Sequence, residues 1–491
     1  MLTNSVSVAH PLGRAAPTLF PALFAAFLFP PAFAVTPTFN HDIAPILYRN
    51  CSGCHRPGQV APFSLLTYQD AAKRAAIIAA VTTRGYMPPW KAEPGYGHFQ
   101  DERRLTDAQI ALLKDWSTDG APEGDPKEKP ALPEFASGWL AGKPDAVYTA
   151  SEPFQIPADG RDRFQCFVIP LNADTDRYVK TVEFHPGNPR VVHHALFFLD
   201  TTGEARRLDA ATPEPGYPCF GGPRVAITGG LGGWAPGATP QPLPPGMAQI
   251  VEKGADLVMQ IHYHPSGKPE NDQSSVGLTY TERPQKGLAG ILEGNARIDI
   301  QAGDASYPVT SSLVLPQDVE LIGITPHAHW LAKEMNVEAR LPDGKVEPLI
   351  RIADWDFNWQ GTYRYSAPVK LPKGTRIEMR YTFDNSAANP RNPSSPPKRV
   401  RFGEQTTDEM AFCFFQVALP RPEDVAPFRR AMLISRIIEL IDEGGDFSEL
   451  GRRQGAMLRG AIALFDKNHD GKLDPEERKA LVDFLAAQIR Q

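Results

Sequence analysis

The sequence lacks the features expected of a nucleic-acid-binding or a membrane-spanning protein. Its 51 Lys and Arg against 57 Asp and Glu leave a net charge of −6, so nothing indicates nucleic acid or an anionic membrane surface as a partner. Beyond residue 34, no apolar run approaches the roughly 20 residues that a membrane span needs. Short-period repeats and low-complexity tracts are also missing. The hydrophobic content of 42% is enough for ordinary globular cores.

The first 34 residues differ from the rest and predict an export signal. Arg14 supplies positive charge, residues 19–29 form a mostly apolar stretch, and residues 32–34 (Ala-Phe-Ala) fit a cleavage site. The alternative is a membrane anchor, but the apolar stretch is short and prolines interrupt it. We therefore expect a mature chain that begins near Val35 and is periplasmic or secreted, where disulfides persist.

The composition divides the rest of the chain into four segments. A length of 491 residues suggests about three domains at roughly 150 residues each. Proline (49) and glycine (40) are abundant and many short stretches are rich in Val, Thr and aromatics, which favours a β-rich body. The segments are a helical one at 35–120, a Pro-rich and charged linker at 121–145, a strand-like region at 146–425 and a charged helical end at 426–491.

The motif Cys51-Ser-Gly-Cys54-His55 is a c-type haem attachment site. The thiols of such a motif add to the haem vinyl groups, and the histidine becomes an axial ligand of the iron. A disulfide loop and half of a zinc site are the alternatives. The zinc alternative lacks support, because no second CxxC is present in the chain.

The order of elements around this motif resembles a class I cytochrome c domain: helix, CxxCH, helix, methionine loop, helix. Helices are predicted over about 41–50 and 68–82, and a third opens with a capping box of Thr106 and Gln109. The resemblance implies Met87, in GYMPPW, as the sixth iron ligand. A packing role for Met87, or ligation by His98, remains possible on the residues alone.

Four separated strings in the strand-like region supply five imidazoles and a thioether: VVHHALFF, MQIHYHP, TPHAHW and DEMAF. Alternation along a strand would place His327 and His329 on one face. The adjacent His193 and His194 would share a metal only at a bulge or a strand end. Three imidazoles suit zinc or copper, and a thioether such as that of Met410 favours Cu(I).

The order HH, HYH, HAH, DEM over about 146–420 resembles the copper type II ascorbate-dependent monooxygenases, the family of peptidylglycine α-hydroxylating and dopamine β-monooxygenases. The resemblance implies an electron-transfer copper on three histidines and a second copper, where dioxygen reacts, on two histidines and a methionine. It also implies two jelly-roll-like β-sandwich halves, at 146–285 and 286–425, that face a solvent-filled cleft. The implied ligands are His193, His194 and His262 for the first copper, and His327, His329 and Met410 for the second.

The same resemblance pairs Cys166 with Cys219 in a disulfide and gives His264 no ligand role. Cys413 then has no partner and is expected to be a buried thiol. The chain departs from the animal enzymes in having fewer cysteines here, and their substrate-binding residues do not align with it. The substrate, whether a small molecule or a peptide, therefore does not follow from the resemblance.

The C-terminal segment contains an EF-hand pattern of twelve residues, with Gly471 at the position of the sharp turn. The alternative is a helical hairpin with an acidic turn, but the full pattern is demanding. We expect one calcium ion, with a structural role. The predicted loop positions are Asp466, Asn468, Asp470, Lys472, Asp474 and Glu477.

Together these motifs predict an exported monooxygenase that hydroxylates a C–H bond with dioxygen. Its predicted cofactors are two copper ions, one covalent haem c and one calcium ion, and the haem is expected to recharge the coppers with electrons from a periplasmic donor. The alternatives are a copper-binding electron-transfer protein without hydroxylase activity, a zinc hydrolase on a three-histidine site, and a purely structural β-sandwich scaffold.

Overall fold

The computed structural model describes residues 36–59, 61–135, 138–442, 464–469 and 473–490. The predicted signal at 1–34 and the loop positions Asp470 and Lys472 lie outside these residues. Within the described ranges no helix is both long and apolar enough to cross a membrane. Strands outnumber helices throughout the middle of the chain, which confirms the prediction of a mostly β protein.

The N-terminal part is helical and has a core of its own. A short turn of π-helix at Phe39–Ile43 leads into α1, and Thr106 and Gln109 form the predicted capping box of α4. The ring of Trp116 in α4 lies near Phe39 and is fully buried. The helices are α1 Ala44–Asn50, α2 Tyr68–Ala72, α3 Ala75–Thr83 and α4 Asp107–Thr118.

The single helix predicted over 68–82 is divided in two. The break falls at Arg74, whose guanidinium lies 4.5 Å from the centre of the Phe63 ring and donates to the Asp70 carbonyl oxygen. These contacts stabilise a turn that apolar periodicity alone does not indicate. The guanidinium and the Phe63 ring both lie beside His55, which packs on Phe63 at 4.7 Å between ring centres.

Residues 146–281 form a first β-sandwich of antiparallel strands around one apolar core. Its two main sheets have the orders β1-β11-β4-β8 and β6-β3-β9-β5-β7, with β2 paired to β10. The central strand β9 is buried along its whole length. The elements are β1 Ala146–Thr149, β2 Phe154–Ile156, β3 Arg163–Pro170, β4 Arg177–His185, β5 Val192–Asp200, α5 Glu204–Ala210, β6 Tyr217–Pro218, β7 Gly229–Trp234, β8 Gln249–Val251, β9 Asp256–Tyr263, β10 Glu270–Asp272 and β11 Ser275–Thr281.

Residues 287–419 form a second β-sandwich with a separate core. Its sheets have the orders β12-β21-β15-β18 and β14-β19-β16-β17, with β13 paired to β20. A 3₁₀ turn at Phe357–Trp359 joins β17 to β18. The strands are β12 Gly287–Gly294, β13 Asp299–Ile300, β14 Tyr307–Val314, β15 Val319–His327, β16 Ala332–Arg340, β17 Val346–Ile352, β18 Tyr363–Leu371, β19 Arg376–Phe383, β20 Val400–Arg401 and β21 Phe412–Leu419.

The disulfide between Cys166 and Cys219 is present, with 5.8 Å between their Cα atoms. It joins the central part of β3 to the residue that follows β6, and this confirms the predicted pairing. Cys413 is a free, buried thiol, as expected. At the C-terminal end, α6 (Val425–Asp442) packs on α7 (Pro475–Arg490) through Ile437 and Leu481.

Residues 86–104, which carry Met87, are docked on the second sandwich. The amide of Glu93 donates to the Arg351 carbonyl oxygen at 2.7 Å, and Phe99 forms a β-bridge with Tyr365. Phe99 is part of the second apolar core. The helical N-terminal part therefore contacts the second sandwich through packed side chains, although the linker leads into the first sandwich.

Candidate metal centre

His193, His194 and His262 converge at the ends of the neighbouring strands β5 and β9. His194 lies opposite His262 in the ladder, and a register shift between Val192 and His194 provides the bulge that adjacent histidines need to face one point. The Nδ1 atom of His194 lies 3.2 Å from that of His193 and 3.3 Å from that of His262. The three rings thus present the same nitrogen to one small volume.

Asp162 fixes the orientation of the His262 ring. His262 Nε2 lies 3.0 Å from Asp162 Oδ2, and His264 Nδ1 lies 2.7 Å from Asp162 Oδ1. Because Nε2–H donates to the carboxylate, the Nδ1 lone pair of His262 is left facing the cluster. His264 therefore contacts the supporting carboxylate and not the cluster. Sequence reasoning missed Asp162, because nothing in DGRDRF marks it.

The electrostatic environment favours the neutral form of His193 and His194. Burial and, after it, the neighbouring His262 lower the pKa of His193 to about 4. Burial and the His262 ring lower the pKa of His194 well below its usual range. Neutral imidazoles have lone pairs to donate, so the site is prepared for a cation and not for proton transfer.

His327 and His329 form a second pair, with ring centres 5.3 Å apart. His327 is the last residue of β15, so His329 lies beyond the strand, and strand alternation does not explain the pairing. His327 Nδ1 lies 2.6 Å from Gln360 Oε1, and His329 Nδ1 lies 3.0 Å from the Asp408 carbonyl oxygen. Because Nδ1 of both rings is hydrogen-bonded, Nε2 is the nitrogen of each ring that could coordinate a metal.

The buried carboxylate of Glu409 holds the His329 loop next to Met410. One oxygen accepts from the amides of His329 (2.9 Å) and Met410 (3.1 Å), and the other accepts from the amide of Leu331 at 2.6 Å. Burial raises the pKa of Glu409 to about 8, although these amides oppose the shift. Met410 also lies two residues before Phe412, which pairs with His327 across the sheet. The backbone of Met410 is thus placed beside both histidines.

Phe357 contacts both histidine groups. Its ring stacks on His193 with 5.3 Å between centres and meets His329 edge-on at 5.5 Å. The imidazoles of His193 and His329 are therefore no more than about 11 Å apart. The two groups thus share one buried aromatic neighbour.

The CxxCH motif follows α1, and its two thiols are not joined in a disulfide. Burial raises the pKa of Cys51 to about 12. His55 Nδ1 lies 3.1 Å from the Phe63 carbonyl oxygen, which leaves Nε2 as the nitrogen for an iron. Met87 is half-buried in the loop after α3, and its amide donates to Val81. The carbonyl oxygen of His98, the alternative ligand, accepts from Ser366 in β18.

The described part of the predicted EF-hand loop is organised around Glu477. Its carboxylate accepts from the amides of Lys467 at 2.6 Å and Asp474 at 3.0 Å. Asp474 in turn accepts from the amides of Glu476 and Glu477 at the start of α7. Asp466 and Glu477, the first and last loop positions, are both buried. Asn468 also belongs to the described part of the loop and is exposed.

No known family model matches the chain. Among solved structures, the chain is similar to the VP2 subviral particle of infectious bursal disease virus, with 9% identity, coverage of 58% of this chain and 74% of that one, and a TM-score of 0.17. It is also similar to PNGF-II (9%, 56% and 65%, TM-score 0.24) and to the major capsid protein P2 of bacteriophage PM2 (10%, 52% and 97%, TM-score 0.22). Similarities this low carry no inference about fold or function.

Proposed function

We propose that the chain is an exported monooxygenase that uses copper and a c-type haem to hydroxylate a C–H bond with dioxygen. The observation that carries the proposal is the convergence of two histidine groups on Phe357. Asp162 orients the ring of His262 in the first group, and Gln360 and the Asp408 carbonyl oxygen hold Nδ1 of the two rings in the second. Histidines that served only to pack the core would have no reason to form two clusters around one aromatic ring. The two clusters consist of His193, His194, His262, His327 and His329.

The donor atoms fit copper. Three imidazoles that turn Nδ1 toward one point suit copper or zinc, whereas two imidazoles together with the thioether of Met410 would favour Cu(I). In this proposal, His327, His329 and Met410 hold the copper at which dioxygen is reduced. Copper supplies the one-electron chemistry and dioxygen activation that no side chain of the chain supplies.

The residues around the ligands orient them and keep water away. Asp162 and Gln360 fix the rings of His262 and His327, and Glu409 fixes the backbone of His329. Such supporting contacts hold ligands in place before a metal binds. Phe357 packs against His193 and His329 and covers part of each ring. No acid or base among these residues is assigned a proton-transfer role.

The helical N-terminal part is proposed to be a class I cytochrome c domain. Cys51 and Cys54 would attach the haem, His55 and Met87 would be its axial ligands, and the haem would supply a one-electron carrier. The separate apolar core and the hydrogen bond from the His55 ring to the Phe63 carbonyl support this assignment. A periplasmic donor would reduce the haem. The disulfide supports a location outside the cytoplasm.

The C-terminal segment is proposed to bind one calcium ion. Asp466, Asn468, Asp474 and Glu477 are the side-chain ligands among the described residues, and Asp470 and Lys472 complete the predicted loop. The buried carboxylates of Asp466 and Glu477 support the proposal, because hard cations take oxygen ligands.

A copper-binding electron-transfer protein without hydroxylase activity is the second candidate. The ring of Phe357 favours it, because it already packs on His193 and His329 and covers part of the surface that a substrate would need. Reaction with dioxygen separates the two functions. A monooxygenase exposes one Cu(I) site to dioxygen, whereas an electron-transfer protein protects both.

The first experiment is metal analysis with a visible spectrum of the purified full-length chain. Two coppers and one c-type haem per chain are expected, and zinc without haem would contradict the proposal. Substituting Met87 by Ala should lower the haem reduction potential, because thioether ligation raises it. His98→Ala is the matched control and should leave that potential unchanged.

The second experiment mixes the fully reduced, copper-loaded chain with dioxygen in a single turnover. A monooxygenase should show rapid loss of Cu(I) that the variant His329→Ala abolishes. Cu(I) that stays reduced in the wild-type chain would favour the electron-transfer candidate. Incorporation of labelled oxygen into a screened set of peptides and small molecules then identifies the substrate class.

A further inference from the structure

The loop that carries Met87 meets the second sandwich at an aromatic contact. The ring of Tyr86 packs edge-on against the indole of Trp359, with 5.7 Å between ring centres. Tyr86 directly precedes Met87, and Trp359 is the last residue of the 3₁₀ turn. The proposed haem ligand and this turn are thus separated by one peptide unit and one ring contact.

The same turn contacts both histidine groups. Gln360 follows Trp359 and accepts from His327 Nδ1 at 2.6 Å. Phe357, at the other end of the turn, contacts His193 and His329. A path made of covalent bonds, one ring contact and one short hydrogen bond therefore runs from Met87 to a proposed copper ligand.

The other aromatic contacts of this segment lead elsewhere. Trp90 packs on Tyr363 with 5.1 Å between ring centres, and Phe99 packs on Tyr365 at 5.0 Å. These four rings belong to the second apolar core or pack directly against it. They attach the segment to the sandwich, whereas Tyr86 attaches it to the turn beside the histidines.

Trp359 shares one feature with Trp90, which also lies at this interface. The indole Nε1 of each is shielded from solvent and has no hydrogen-bond partner among the described residues. The unpartnered indole therefore does not distinguish the two tryptophans. What distinguishes Trp359 is its ring contact with Tyr86 and its position directly before Gln360.

We infer that Tyr86, Trp359 and Gln360 form the route by which an electron passes from the haem to the copper held by His327 and His329. The inference rests on the proposed function. In this step one electron leaves Fe(II), which becomes Fe(III), and reduces Cu(II) to Cu(I), with no bond formed or broken. Electron tunnelling falls off more steeply through a gap than along bonds, hydrogen bonds and packed rings. The branch through Gln360 ends in a hydrogen bond to His327, whereas the branch through Phe357 ends in ring contacts with His193 and His329. The first branch therefore favours the copper at His327.

The test uses the full-length chain loaded with haem and copper, without oxygen. A flash-generated one-electron reductant reduces the haem, and absorbance then follows its reoxidation while the Cu(II) signal decreases. Trp359→Leu should slow this reoxidation by about tenfold or more, which corresponds to about 1.4 kcal/mol in the barrier. Tyr86→Phe keeps the ring and should transfer at the wild-type rate.

Trp90→Leu is the matched control, because it removes an aromatic ring from the same interface but away from the route. Its rate should stay at the wild-type value. The haem reduction potential and the copper content are measured in every variant, so that a slow rate reports the path and not an altered centre. Tyr86→Leu repeats the test at a side chain that is 40% exposed, where folding is not at risk.

Two results would overturn the inference, and they differ in what else they affect. If Trp359→Leu and Tyr86→Leu transfer at the wild-type rate, the route is wrong and the proposed function stands. If the wild-type haem reoxidises no faster than that of the copper-free chain, the haem does not supply the copper. In that case the route and the electron supply of the proposed function both fail.

Discussion

Glu409 accepts a hydrogen bond from the backbone amide of His329 at 2.9 Å, although the two residues are 80 positions apart in the chain. The same carboxylate accepts from the amides of Leu331 and Met410. One side chain therefore connects the loop after β15 to the segment that leads into β21. The placement of the second histidine pair depends on this buried group.

We predict that Glu409→Ala destabilises the chain and removes one copper. The substitution leaves three buried amides without an acceptor, and each costs about 1–3 kcal/mol. The free energy of unfolding should fall by at least about 3 kcal/mol in urea denaturation. Metal analysis should show loss of the copper at His329 and retention of the one at His193. Loss of both coppers together, or of neither, would contradict this role.

We predict that Asp162→Asn weakens copper binding at the first histidine group by about 10- to 100-fold, the usual effect of losing a partner of a ligating histidine. The reason is that the carboxylate orients the His262 ring. Competition with a copper chelator measures the affinity. His264→Ala is the matched control, because it removes the other partner of Asp162 and leaves His262 in place. Equal losses in the two variants would count against an orienting role.

We predict that removing the disulfide by Cys166→Ala and Cys219→Ala lowers stability by about 4 kcal/mol in the chain-entropy model. The bond closes a loop over a sequence separation of 53 residues that contains both histidines of β5. Thermal unfolding of the oxidised wild type and of the double variant measures the difference. Cys413→Ala, at the buried free thiol, should not change the response of the protein to reductant. A wild-type midpoint that is indifferent to reductant would refute the prediction.

We predict that Asp354→Asn weakens the docking of residues 86–104 at neutral pH but not in acid. Lys91 donates to Asp354 at 2.9 Å, and Arg391 forms a second ion pair with it. Burial raises the pKa of Asp354, but the hydrogen bonds from Arg391 and Lys91 outweigh it and hold the pKa below the usual 3.8. The stabilisation is therefore fully present above pH 3.8 and is lost as the pH falls through the lower folded-state pKa.

Urea unfolding of the wild type and of Asp354→Asn at pH 7 and at pH 3 tests the direction of this pH dependence. The difference between the two proteins should be modest at pH 7, since Asp354 is partly exposed and solvent screens its ion pairs. It should shrink at pH 3. A difference that grows in acid would show that the carboxylate does not act through its charge.

The sequence was sufficient to predict the β-rich body, the disulfide and the need for a bulge at His193. These follow from local features: turn-forming composition, two cysteines in the order of a recognised pattern, and the period of two in a strand. The copper, haem and calcium assignments stay predictions. The identity of each proposed domain also stays a prediction, although the helical part and the two sandwiches have separate cores.

The residues that support the histidines could not be predicted, because their role exists only after long-range folding. Asp162 lies 100 positions from His262, and Gln360 lies 33 positions from His327. Neither belongs to a motif, and each is an ordinary surface residue type. Glu409 had a weak signal, since it directly precedes Met410. Phe357 had none, because an aromatic residue in a loop usually indicates core packing.

The number of residues in the 3₁₀ turn at Phe357–Trp359 is fixed by the contacts made at its two ends. Such a turn advances only about 2 Å per residue, so one inserted or deleted residue would rotate Phe357 and Gln360 away from different partners at once. Asn358, in the middle of the turn, is exposed, but its side-chain amide donates to Asp356 Oδ1 at 3.0 Å. Engineering at this point should therefore keep the number of residues between β17 and β18 fixed and give residue 358 a side chain that can still donate to Asp356.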